Sequence, residues 1–130
     1  MIATTSQCVA TLFRTAAKLA GAQEGFFLLP LDGGGEVLAS PVMVSFGDKD
    51  CAVVDPKEVF KAAFWAGADA IIIAHNHPSG NPTPSKADLR LTEELKSRAE
   101  WLGLEFIDHL ILGSPKSAGG IGFVSLAEFE

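Results

Sequence analysis

Residues 55–88, DPKEVFKAAFWAGADAIIIAHNHPSGNPTPSKAD, change periodicity twice, and those changes decide the fold. Asp55 is placed to N-cap a helix, with Pro56 at the first helical position, Glu58 three residues after the cap and Gly67 at the far end. The next residues, DAIIIA at 69–74, are apolar and β-branched on both faces, which suits a central strand covered on both sides. Where that run ends come His75 and His77, then a loop dense in Pro, Gly, Ser and Asn. Ser85 and Asp88 follow as a capping pair for another helix.

Working outward, Leu91, Leu95, Ala99 and Leu102 recur at helical spacing, so a helix is expected over 85–102 with Gly103 closing it. LEFIDHLIL at 104–112 returns as a strand. Residues 121–124 follow as a short last strand, with Ser125 expected to cap a final turn. Towards the N-terminus, GFFLLPL at 25–31 and EVLASPVMVSF at 36–46 flank DGGG, a hairpin signal. Val9, Leu12, Phe13, Ala16, Ala17, Leu19 and Ala20 give residues 6–22 an amphipathic helical pattern behind Ser6. The order helix, two strands, helix, strand, helix, two strands implies an α/β fold with a mixed sheet flanked by helices.

With 130 residues, 48% of them hydrophobic, the chain is expected to form a single domain over residues 1–130. The formal net charge of -6, with no cluster of Lys or Arg, gives nucleic acid or anionic lipid no electrostatic support, so direct DNA binding is not expected. No apolar run approaches the length of a membrane span and the N-terminal residues show no secretory pattern; a soluble, cytoplasmic protein is expected. Cys8 and Cys51 match no paired metal spacing and read as buried thiols. Trp65 and Trp101 are expected in the core. Composition leaves the oligomeric state open.

The chemistry sits at the end of the central strand. In extended backbone, residues two apart point the same way, so His75 and His77 can aim both imidazoles at one ion. Catalytic zinc commonly keeps three protein ligands and an open position, and Asp88 in the next helix is the natural carboxylate partner. The prolines and glycine of the loop bring the helix start back to the strand end at low entropic cost. Asp88 is pulled two ways, because a capping carboxylate and a zinc ligand are expected to point in different directions. The competing reading is a plain Pro- and Gly-rich turn before a well-capped helix.

The spacing H-x-H, seven residues, S, two residues, D, in His75, His77, Ser85 and Asp88, resembles the JAMM motif of the JAB/MPN metallopeptidase superfamily. AHNHPSGNPTPSKADLRLTEEL followed by LGLEFIDHLILG is more narrowly similar to the RadC family, and the likeness extends back through DPKEVFKAAFWAGADAIII to EGFFLLPLD. The resemblance implies a JAB/MPN, cytidine-deaminase-like architecture. It also implies one zinc ion per chain on His75, His77 and Asp88, and hydrolysis of peptide or isopeptide bonds by metal-activated water. Glu24 occupies the position of the family's general acid/base, and Ser85 that of a donor to the developing oxyanion. Asp108 and His109 resemble the family's Asp-His pair, with a contact behind the metal site or a half-buried structural pair as the two readings.

Proteins of the RadC family usually carry an N-terminal helical region, and only one short helix precedes the domain here, so a DNA role assigned through that region does not transfer. The rival to the hydrolase is a non-catalytic metal-binding or interaction module associated with DNA repair or mobile elements. Joint retention of Glu24, His75, His77, Ser85 and Asp88 favours the hydrolase, with a peptide or protein substrate of unknown identity. Zinc-dependent nucleobase deamination requires H-x-E and P-C-x-x-C, neither of which occurs in the sequence.

Overall fold

The β-branched run after Gly67 becomes the middle of a five-stranded sheet. The computed structural model describes residues 6–20, 25–46, 54–77, 79–114 and 122–129. In chain order the elements are α1 (Ser6–Ala20), β1 (Gly25–Leu31), β2 (Val42–Phe46), α2 (Pro56–Trp65), β3 (Ala70–Asn76), α3 (Lys86–Trp101), β4 (Glu105–Leu112), β5 (Phe123–Ser125) and the short α4 (Leu126–Phe129). The sheet order is β2-β1-β3-β4-β5; β3 and β4 are parallel, the other neighbours antiparallel. A parallel pair needs a crossover, and α3 supplies it.

Both faces of β3 are covered, as its uninterrupted apolar run requires. Ala70, Ile72 and Ala74 pack with Phe27 and Leu29 under Val9, Ala10 and Phe13 of α1. Ile71 and Ile73 pack with Phe26 and Leu28 under Val59, Phe60 and Ala63 of α2 and Leu95 and Ala99 of α3. The result is a mixed α/β sheet between helices, consistent with a JAB/MPN-type fold. Arg14 ties α1 to the far edge by donating to the carbonyls of Gly113 and Gly122 at 3.2 and 2.6 Å.

Several local expectations change. The second hairpin strand is shorter than expected: β2 begins at Val42, after Pro41, and upstream an isolated bridge joins Val37 to Leu31. Proline has no amide hydrogen to give a ladder, which accounts for the late start. The Ser125 hydroxyl donates to Asp108 Oδ2 at 2.5 Å, and Asp108 Oδ1 accepts from the Ala127 amide at 3.0 Å, so a carboxylate from β4 meets the first turn of α4. Trp65 and Trp101 are not core residues but 94% and 89% exposed. Each lies about 200° around its helix from a buried alanine two residues earlier, Ala63 or Ala99, so each faces water. Leu102, also expected inside, is exposed just beyond the end of α3, and Cys8 is exposed on α1; Cys51 lies outside the described residues.

Candidate metal centre

The site is assembled by the loop that leaves β3. The His77 amide donates to Leu112 O, the Gly80 amide to His77 O, and the Ser114 amide to Gly80 O, at 2.8–2.9 Å, so the turn is sewn to the end of β4. Gly80 has φ of +86°, and a Cβ there would meet Ser114 Cβ at 3.3 Å. The positive φ favours glycine, and the tight approach to Ser114 adds to that preference. Gly80→Ala is expected to lower stability by about 1–2 kcal/mol and to loosen the loop holding His77, read by urea denaturation beside a metal titration. Asn81 then folds the loop on itself, its side-chain oxygen accepting from the amide and hydroxyl of Thr83 at 3.1 and 2.7 Å.

Ser85 opens α3 as expected. Its Oγ accepts from the Asp88 amide at 3.0 Å, and Asp88 Oδ2 accepts from the Ser85 amide at 2.8 Å, forming a reciprocal capping box. The same carboxylate also faces the histidines: Asp88 Oδ1 lies 3.2 Å from His75 Nε2 and Oδ2 3.3 Å from His77 Nε2. The two expected directions therefore coincide, because the cap and the histidines lie on one side of the first turn. The two Nε2 atoms are 3.0 Å apart. Burial opposes ionisation of Asp88, but the Ser85 amide and the His75 and His77 rings, in the form that carries a hydrogen on Nε2, donate to the carboxylate, outweigh burial and hold the carboxyl far below the usual range.

His75, at the end of β3, is buried at 2% exposure, with its ring stacked on Phe26, centroids 5.9 Å apart and planes within 12°. His77 Nδ1 lies 2.8 Å from Asn81 O. A carbonyl can only accept, so Nδ1 carries a hydrogen, and in the neutral ring Nε2 turns a lone pair to the site. Donor atoms of His75, His77 and Asp88 all lie within 4.8 Å of one another. A four-coordinate ion with bonds of about 2.0–2.1 Å spaces its ligands about 3.3 Å apart, close to the 3.0 Å between the rings and the 3.2 and 3.3 Å from each ring to its own Asp88 oxygen. Imidazole donors favour zinc and its transition-metal neighbours over magnesium or calcium.

The Asp108-His109 pair is divided. Asp108 accepts from Ser125, Ala127 and the His109 backbone amide, and ties β4 to β5 and α4. His109 is fully buried on the other face of β4, its Nε2 2.8 Å from His75 Nδ1 and its Nδ1 2.6 Å from Thr92 Oγ1. Thr92 was not expected here, although it lies one turn beyond Asp88 on the face of α3 that also carries Leu95 and Ala99. Glu24 lies outside the described residues. Its neighbour Gly25 donates its amide to Asn76 Oδ1 at 2.7 Å, joining the start of β1 to the residue between the two histidines.

Burial, with His75 adding to it, holds the His109 imidazole well below the usual histidine range, so it is neutral in the folded chain. The unfolded chain takes up that proton at higher pH than the folded one. His109 therefore contributes full stability above about pH 6.5, and that contribution falls as pH drops below it, by up to about 1.4 kcal/mol per unit. Chelator-treated protein unfolded in urea between pH 7 and 5 should show this slope, and His109→Gln should remove it from the total.

A family model described as the RadC-like JAB domain matches residues 2–129, nearly the whole chain. The chain belongs to this family. This RadC-like JAB domain is 44% identical over 96 residues to a UPF0758 protein of Staphylococcus haemolyticus, covering 74% of the chain and 42% of that protein. It is 42% identical over 106 residues to one of Bacillus cereus, covering 82% and 44%, and 41% identical over 91 residues to one of Methanosarcina mazei, covering 70% and 39%. The chain thus spans about two fifths of the length of these relatives, whose shared label names no activity. Among the described residues no helix is long and apolar enough to cross a membrane.

Proposed function

We propose that this RadC-like JAB domain is a zinc-dependent hydrolase of the JAMM type that cleaves peptide or isopeptide bonds. The observation that carries this reading is the mutual approach of His75 Nε2, His77 Nε2 and the two Asp88 carboxylate oxygens to 3.0–3.3 Å. Three electron-pair donors gathered this closely repel one another unless a ring proton or a metal cation lies among them, and a cation can replace that proton. His75, His77 and Asp88 would hold the zinc. When bound, the ion would supply Lewis-acid activation of water and of the substrate carbonyl.

The remaining chemistry falls to the chain's own groups. Glu24 takes the proton of the attacking water on its carboxylate and delivers it to the leaving nitrogen. Its support is the resemblance together with the position of Gly25 beside Asn76. Ser85 accepts in the helix cap through Oγ and keeps its own O–H to donate to the carbonyl oxygen as negative charge develops. Phe26, stacked on His75, walls the buried side of the site against water.

A second reading, a metal-binding interaction module without catalysis, draws support from the other end of the domain. There Phe64, Trp101 and Leu102 are exposed along a groove of about 680 Å³ between α2 and α3. Exposed aromatic surface of this kind marks contact with partners rather than chemistry. Incubation of the zinc-loaded protein with a peptide library and with lysine-branched isopeptides separates the two. Chelator-sensitive cleavage is expected; intact substrates with a full complement of zinc would favour the module.

A further inference from the structure

We propose that Thr92 and His109 form a positioning relay that fixes His75 as its Nδ1–H tautomer, and that the bulge at Ile107 is the device that brings His109 into it. The proposal rests on the reading of His75, His77 and Asp88 as a metal site. It follows from counting hydrogens along one chain of contacts. Thr92 Oγ1 lies 2.9 Å from Asp88 O, and a carbonyl can only accept, so the single hydroxyl hydrogen is spent there. Towards His109 Nδ1, 2.6 Å away, Thr92 can therefore only accept, and His109 Nδ1 carries its hydrogen. A neutral imidazole with its hydrogen on Nδ1 presents a lone pair at Nε2. His109 Nε2 lies 2.8 Å from His75 Nδ1, so His75 carries its hydrogen on Nδ1 as well. In the neutral, metal-binding form its Nε2 is then left as a lone pair, aimed at His77 Nε2 and Asp88 Oδ1, 3.0 and 3.2 Å away.

The relay closes on itself through Asp88. The carboxylate of that residue faces the site, while its backbone carbonyl sets the hydrogen count that ends at His75. Phe26 fixes the ring planes by stacking on His75 and meeting His109 edge-on at 5.8 Å, but an apolar ring cannot choose a tautomer. That choice falls to the hydrogen bonds.

The strand register explains how His109 comes to face His75. In the parallel pair, Ile71 lies opposite Phe106 but Ile72 lies opposite Asp108, so Ile107 is an extra residue. An inserted residue moves everything beyond it to the other face of the sheet. With an unbroken register His109 would lie opposite Ala74, on the α1 side, and Asp108 would turn towards His75. The bulge exchanges them. It places a neutral acceptor behind the histidine and sends the carboxylate to Ser125 and Ala127.

The test uses the full chain, with zinc affinity measured by chelator competition and histidine tautomers by nitrogen-15 NMR. Thr92→Val keeps the shape and removes the acceptor; zinc should bind about 10–100-fold more weakly, while Thr92→Ser restores wild-type affinity. In wild type, His109 should carry its hydrogen on Nδ1 with Nε2 unprotonated, and that signature should be lost in Thr92→Val. Wild-type affinity in Thr92→Val, or a His109 protonated on Nε2 in the wild-type protein, would overturn the relay. A wild-type chain that takes no zinc defeats the hydrolase reading instead, and the His109 tautomer in the metal-free protein then still decides the relay.

Discussion

Asp88→Asn should strip zinc from the protein while leaving α3 in place. The asparagine side-chain oxygen can still accept from the Ser85 amide, and the Ser85 hydroxyl still accepts from the amide of residue 88, so the capping box survives in outline. What disappears is the charge. The wild-type carboxyl is held far below the usual range and is ionised at any working pH, so the substitution removes a full anion from between two imidazoles. Loss of a direct ligand exceeds the roughly 10–100-fold cost of disturbing an outer partner, and an affinity loss on the order of 1,000-fold is expected. Unfolding stability of the metal-free proteins should differ by no more than about 1 kcal/mol. Chelator competition and urea denaturation on the same two proteins check both halves. Equal zinc affinity would mean that Asp88 only caps the helix.

Glu24→Gln should divide the two functions in the opposite way. Zinc affinity and stoichiometry should match wild type, because the site is completed by His75, His77 and Asp88. Cleavage of any substrate found should fall by about 10²–10⁴-fold, the usual contribution of a positioned acid or base. The amide of glutamine keeps the size of the side chain but can neither accept the proton of water nor return it to the leaving nitrogen. A variant with full zinc and an unchanged rate would remove Glu24 from the mechanism and leave the proton transfer to another group.

The parts of the fold visible in the sequence were those set by local chemistry. Asp55 with Pro56, and Ser85 with Asp88, announce helices through the donors they satisfy, and both caps occur where expected. The run 69–74 announced a strand covered on both sides, and it is the centre of the sheet. His75, His77 and Asp88 were legible because their spacing across one strand and one turn is itself a geometric statement. What escaped depends on contacts between distant segments. The exposed Trp65 and Trp101 look apolar in composition, and only their angle relative to Ala63 and Ala99 shows that they face water. Asp88 seemed forced to choose between cap and site because the side of the helix turn on which the histidines lie is a tertiary fact. Neighbours on a strand always part to opposite faces, but which of Asp108 and His109 turns towards His75 is set by the bulge at Ile107, which no periodicity of FIDHLIL reveals. Thr92 carried a faint signal, one turn from Asp88, but a threonine in a helix earns notice only when something across the interior accepts or donates to it.

Because the hydrolase reading and the relay both assume that His75, His77 and Asp88 hold an ion, metal content is the most direct test. Protein purified under zinc-replete conditions should carry one tightly bound divalent ion per chain, and His75→Ala prepared identically should carry none. A wild-type protein without bound metal, or one whose metal content equals that of His75→Ala, would contradict the account.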